Sequence, residues 1–96
     1  MKEMIIGVCT LELRVAMSNS LKYKRRIVKS IKAQLRQKFN LAIAETAAND
    51  KHKQIVLTLV SVANERSYLN SLFDQAVNFT LTIKDVQLIK DEIEIF

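Results

Sequence analysis

Two stretches of this chain, "MIIGVCTLELRVA" (4–16) and "QIVLTLVSVA" (54–63), are apolar in both registers of a two-residue repeat. Alternate residues of a strand point to opposite faces, so a strand with one face in water alternates apolar with polar. In the first stretch Ile5, Gly7, Cys9, Leu11 and Leu13 line one face, and Ile6, Val8, Thr10, Glu12 and Arg14 line the other. In the second, Ile55, Leu57 and Leu59 oppose Val56, Val60 and Val62. Strands with this composition belong in the middle of a sheet.

Two further segments read as edge strands. "NLAIAETA" (40–47) is short, and "DVQLIKDEIEIF" (85–96) alternates apolar with charged residues near its end. Charge at an edge discourages pairing with another chain. Between the strands the spacing is helical. Leu21, Ile27, Val28, Ile31, Leu35 and Phe39 mark one stripe of a helix over 21–39, with Ser20 as its N-cap. Leu69, Leu72, Phe73, Ala76 and Val77 mark a second helix over 65–79, capped by Asn64. "ANDKHK" (48–53) is a polar turn. The order strand, helix, strand, strand, helix, strand predicts one α+β domain over 1–96 with the ferredoxin-like βαββαβ pattern. Its four-stranded antiparallel sheet has the order 4-1-3-2, with both helices on one face. Two helices cover only that face, while the central strands are apolar on both. The open face is expected to meet a second copy of the chain, making a homo-oligomer.

The chain has 96 residues, 49% of them hydrophobic, which suffices for a core without metal or disulfide staples. Cys9 is the only cysteine, Met1 begins no signal-peptide pattern, and no apolar run approaches the roughly 20 residues of a membrane helix. The expected location is a reducing cytoplasm, with no membrane partner.

Charge is unevenly placed. Lys22, Lys24, Arg25, Arg26, Lys29, Lys32, Arg36 and Lys38 give residues 21–39 eight positive charges and no acid. Taking those eight from a net charge of +5 leaves the rest of the chain at −3. This asymmetry favours a polyanionic partner. Advancing each residue by about 100°, the apolar stripe spans about 0–120°, and Lys22, Arg25, Arg26, Lys29, Lys32 and Arg36 fall near 140–260°. Those six are the candidate nucleic-acid-binding residues. They could engage ~3–5 phosphates, for a log–log salt slope of about −3 to −4.5. The alternative is a solvated face, or one paired with Glu45, Asp50 or Asp74. Lys24 falls inside the apolar stripe and must snorkel or pair; it marks a possible site at the helix start, or a first-turn residue whose ammonium reaches water.

Other constellations are thin. His52 lies in a polar turn and Cys9 in mid-strand, so no metal site is assembled from them. A single glycine makes no phosphate-cradling loop and no GxxG clamp. Asp91, Glu92 and Glu94 are neighbours on an edge strand without a base or nucleophile beside them. No catalytic residue, cofactor or metal is assigned. The central strands carry no aromatic residue, so bases cannot stack there as on an RNA-recognition motif. Any RNA would be held by its phosphates, with weak base preference.

"MIIGVCTLEL", "SLKYKRRIVKSIKAQLRQKFNLAIAE", "VSVANER" and the ending "DEIEIF" resemble the YlxP-like family of small uncharacterised bacterial proteins. The resemblance runs over nearly the whole chain. It implies a ferredoxin-like fold and a cytoplasmic, RNA-linked role, because genes of that family tend to lie among translation and ribosome-maturation genes. It implies no catalytic residue. The family's helix start reads Ser-Leu-Lys-Glu-Lys-Arg; Ser20, Leu21, Lys22, Lys24 and Arg25 match it, and Tyr23 replaces the glutamate. A glutamate there would close a capping box on Ser20 and soften the positive charge. The expectation is a non-enzymatic protein that binds RNA or a ribosomal particle through helix 21–39. The alternatives are a self-associating structural or adaptor protein that uses the open sheet face, and an enzyme whose site a partner subunit completes.

Overall fold

The alternation of burial along the strands sets the architecture. In the computed structural model, which describes residues 4–96, β1 is Ile5–Arg14, α1 Leu21–Lys38, β2 Ala42–Ala47, β3 Gln54–Ala63, α2 Arg66–Thr80 and β4 Gln87–Ile95. All strand pairs are antiparallel and the sheet order is β2-β3-β1-β4. This is the ferredoxin-like arrangement, with the two strands apolar on both faces in the centre.

One core lies between the helices and one sheet face. Cys9, Leu11 and Leu13 of β1 and Ile55, Leu57 and Leu59 of β3 are completely buried there. They pack against Val28, Ile31 and Leu35 of α1 and Leu69, Phe73 and Ala76 of α2. Gly7 is a requirement of this packing: a Cβ on it would stand 2.5 Å from Phe73 Cε2. The ring therefore rests directly on the β1 backbone.

α1 starts where Ser20 takes an extended conformation and its Oγ accepts the Tyr23 N–H at 3.1 Å. It ends at Phe39, which returns to extended backbone and donates its N–H to Leu35 O at 2.9 Å. α2 departs from expectation at its start. Glu65, not Asn64, holds the N-cap position, and no side chain bonds the free amides there. Asn64 falls one residue too early for its short amide to reach them. β4 begins at Gln87 rather than 85, because Asp85 adopts φ 66° and turns the chain while Val86 is buried.

The registers define cross-strand rows on the sheet face that no helix covers. The end row is Phe96, Ile6 and Val62, with Phe96 and Ile6 exchanging backbone hydrogen bonds at 2.8 and 3.3 Å. The next is Glu94, Val8, Val60 and Ala42, followed by Glu92, Thr10, Thr58 and Ala44. Val62 is 58% exposed and Phe96 64%. Thr46 and Thr58 share a hydroxyl hydrogen bond of 2.7 Å on the same face. Among the described residues, no helix is long and apolar enough to cross a membrane.

Candidate nucleic-acid interface

α1 is amphipathic in the strict sense that one stripe packs and the other is solvated. Lys22, Arg25, Arg26, Lys29 and Arg36 are exposed on its outer side, and Lys32 is half-buried. Among the described residues the carboxylate ion pairs are Lys24–Glu45 and Lys90–Glu92, so none of these six cations is paired with a carboxylate. Two have other neighbours. The Arg26 guanidinium lies 5.7 Å from the centre of the Tyr23 ring, and Arg36 Nη2 donates to Ile43 O at 3.2 Å. A guanidinium with one N–H on a carbonyl keeps further donors for an anion. Lys38, also exposed, lies 5.1 Å from the centre of the Phe79 ring.

Glu45, Asp50 and Asp74 do not neutralise this face. Glu45 faces inward instead, toward Lys24. The Lys24 side chain is completely buried; its Nζ donates to Ala48 O at 2.6 Å and lies 2.8 Å from Glu45 Oε2. The expectation of an ammonium reaching water is therefore corrected: the apolar stripe and the β2–β3 turn enclose it. That contact is ionic in character, since Glu45 Oε2 is buried and accepts no well-directed hydrogen bond, while Oε1 accepts from Asn49 Nδ2 at 3.4 Å. Ala48 has φ 58°, a left-handed conformation costly for a residue with a Cβ. The Lys24 ammonium thus ties the first turn of α1 to a strained turn and to β2, and is closed to any ligand.

A second group of cations gathers at the end of the molecule where α1 begins. Arg14 is opposite Gln54 in the β1–β3 register, and with Lys51, His52 and Lys53 it lines an open cleft of about 380 Å³. Asp50 is the one acid in its wall. Lys53 has a structural duty: its Nζ donates to Ala16 O at 2.7 Å and Ser18 O at 2.8 Å, pinning the loop that leads into α1. From the sequence, residues 48–53 read as a polar turn. The "KHK" run was visible, but its meeting with Arg14 depends on a strand register distant in sequence.

The chemistry this arrangement offers is attraction of anions. Cys9 is completely buried, and burial above all, with the Asp91 and Asp74 carboxylates adding to it, pushes its thiol up to about 12. A thiol so placed is a hydrophobic core residue and no nucleophile at neutral pH. His52 is exposed. Among the described residues no three His, Cys, Asp or Glu side chains converge as a metal site.

Comparison with solved structures finds the same fold in unrelated sequences. The de novo designed protein Foldit4 is similar over 98% of this chain and 97% of its own, with a TM-score of 0.54 at 10% identity. A putative antibiotic biosynthesis monooxygenase from Nitrosomonas europaea is similar over 100% of this chain and 90% of its own, with a TM-score of 0.51 at 11% identity. At such identities the likeness shows architecture alone. No curated protein matches the chain. A family does: residues 6–93 match the one described as "Protein of unknown function (DUF503)". That match takes in all but the outermost residues of the fold, and the chain belongs to the DUF503 family.

Proposed function

We propose that the protein is a non-enzymatic cytoplasmic member of the YlxP-like group that binds RNA, or an RNA-containing particle such as the ribosome, through the phosphates. The binding surface is the outer face of α1: Lys22, Arg25, Arg26, Lys29, Lys32 and Arg36. One observation carries the reading. Six cations share one helical face, and among the described residues no carboxylate forms an ion pair with any of them. Such a face is costly to keep without a partner. Like charges at i,i+4, as in Lys22/Arg26, Arg25/Lys29 and Lys32/Arg36, destabilise a helix by about 0.2–0.5 kcal/mol per pair. A phosphate backbone converts that repulsion into counterion release on binding. The cations of the Arg14–Lys51 cleft extend the positive surface around the N-terminal end of α1.

The test is charge reversal. Arg25→Glu/Arg26→Glu/Lys29→Glu replaces only exposed side chains, so the circular dichroism spectrum should be unchanged. Affinity for a labelled RNA stem-loop should fall at least about 100-fold, as expected from losing several phosphate contacts. Equal affinity of variant and wild type would remove α1 from the interface. Co-sedimentation with ribosomal subunits at low ionic strength, lost in the triple variant, would identify the particle.

The reading of the chain as a self-associating structural or adaptor protein rests on a different surface, the uncovered sheet face. Val62, Ile89 and Phe96 are all more than half exposed.

A further inference from the structure

The uncovered sheet face is graded in both directions. Along the strands, the end row of Phe96, Ile6 and Val62 is wholly apolar. Across the strands, β1, β3 and β2 contribute no charged residue to the three rows from Phe96 to Ala44, while β4 contributes Glu94 and Glu92. This happens in a chain of which 26% is charged. Side-chain size is graded as well. In these three rows the β2 border carries Ala42 and Ala44, and the β4 border carries Phe96 and the two glutamates. Depletion of charge at the centre with charge at the rim is the pattern of an interface.

We propose that this face binds a second copy of the chain, sheet on sheet, about a two-fold axis parallel to the strands. That axis lays each row over the same row of the other copy with its order reversed. Ile6 and Val62 then meet Val62 and Ile6, Val8 and Val60 meet Val60 and Val8, and Phe96 lies over the start of the other copy's β2. The β4 border of each copy lies over the β2 border of the other, so the long glutamates meet alanines, where there is room. Charge is matched at the same place. Arg36 of α1 reaches the β2 edge, where its Nη2 donates to Ile43 O between Ala42 and Ala44. Glu92 and Glu94 of the other copy arrive beside that guanidinium. A two-fold axis perpendicular to the strands would instead stack acidic β4 on acidic β4. Four strands about 4.8 Å apart, over the roughly six residues of these three rows, present on the order of 400 Å² of projected face. That is below the ~800 Å² per partner of a standard interface, as befits a dimer that dissociates on dilution. The other five cations of α1 remain on the outside of the resulting helix–sheet–sheet–helix assembly and only Arg36 is shared between the two surfaces, so this inference goes beyond the phosphate-binding reading and does not depend on it.

The test is sedimentation velocity of the full chain, free of nucleic acid. Wild type should run as a species of twice 11.0 kDa at about 100 µM protein and dissociate on dilution. Val62→Asp, at a position already 58% exposed, should keep the fold and run as the monomer. Arg36→Glu should weaken the dimer about tenfold or more, and so should Glu92→Arg/Glu94→Arg. Combining the two sets restores the opposite-charge match and should bring the dimer back to within about threefold of wild type, a rescue that a merely structural role of Arg36 would not produce. A wild-type monomer at about 500 µM, a dimer indifferent to Val62→Asp, or failure of the combined variant to recover would each overturn the proposal.

Discussion

Lys24 shows how one side chain can be given up to the fold. It lies on the buried stripe, and its cation is held by Glu45 Oε2 and Ala48 O. Lys24→Met should cost about 2 kcal/mol, toward the low side for breaking a buried pair because Glu45 remains 15% exposed and can turn to water. Lys24→Met/Glu45→Leu should recover most of that loss, since the second change removes the stranded carboxylate; urea midpoints of the two variants check this. Cys9 makes a pH-dependent prediction. Its thiol ionises at about 12 in the folded state against an ordinary 9.0, so the unfolded chain releases the proton first. Its contribution is complete below pH 9.0 and is lost as pH rises from there toward about 12. Between pH 8 and pH 10 the wild type should lose about 1 kcal/mol more than Cys9→Ala does.

At the scale of the element, the strand and helix order was legible because the two periodicities, 2 and 3.6, change cleanly along the chain. The central position of β1 and β3 was legible because both registers are apolar. Ser20 was legible as a cap because a short hydroxyl precedes a helical repeat, and its Oγ does accept the Tyr23 amide. Other features were hidden. The Lys24–Glu45 pair and the Arg14–Lys51 cleft depend on where β2 and β3 bring distant residues, and a single sequence carries no such register. The shift of the α2 cap from Asn64 to Glu65 reflects a boundary that no proline or glycine marks. Tyr23 occupies the third helical position, where a glutamate could bond back to the Ser20 amide. Tyr23→Glu would gain that bond, worth about 0.5–1 kcal/mol, but lose the ring's packing against the core, so the melting temperature should not rise. The same change should weaken RNA binding, because it adds an acid to the cationic turn and removes the ring beneath Arg26.

The whole molecule is electrically lopsided. The outer side of α1 and the cleft at its start carry the cations, while Asp91, Glu92 and Glu94 lie on the opposite edge strand, β4. A polyanion is steered to one side and repelled from the other. The central claim is that phosphates are engaged on the cationic side, and the dependence of RNA affinity on salt measures it most directly. With six cations contacting ~3–5 phosphates, a plot of log affinity against log salt should fall with a slope of about −3 to −4.5, and Arg25→Glu/Arg26→Glu/Lys29→Glu should flatten it by at least about 2. A slope near zero, or one that the triple variant leaves unchanged, would contradict the account.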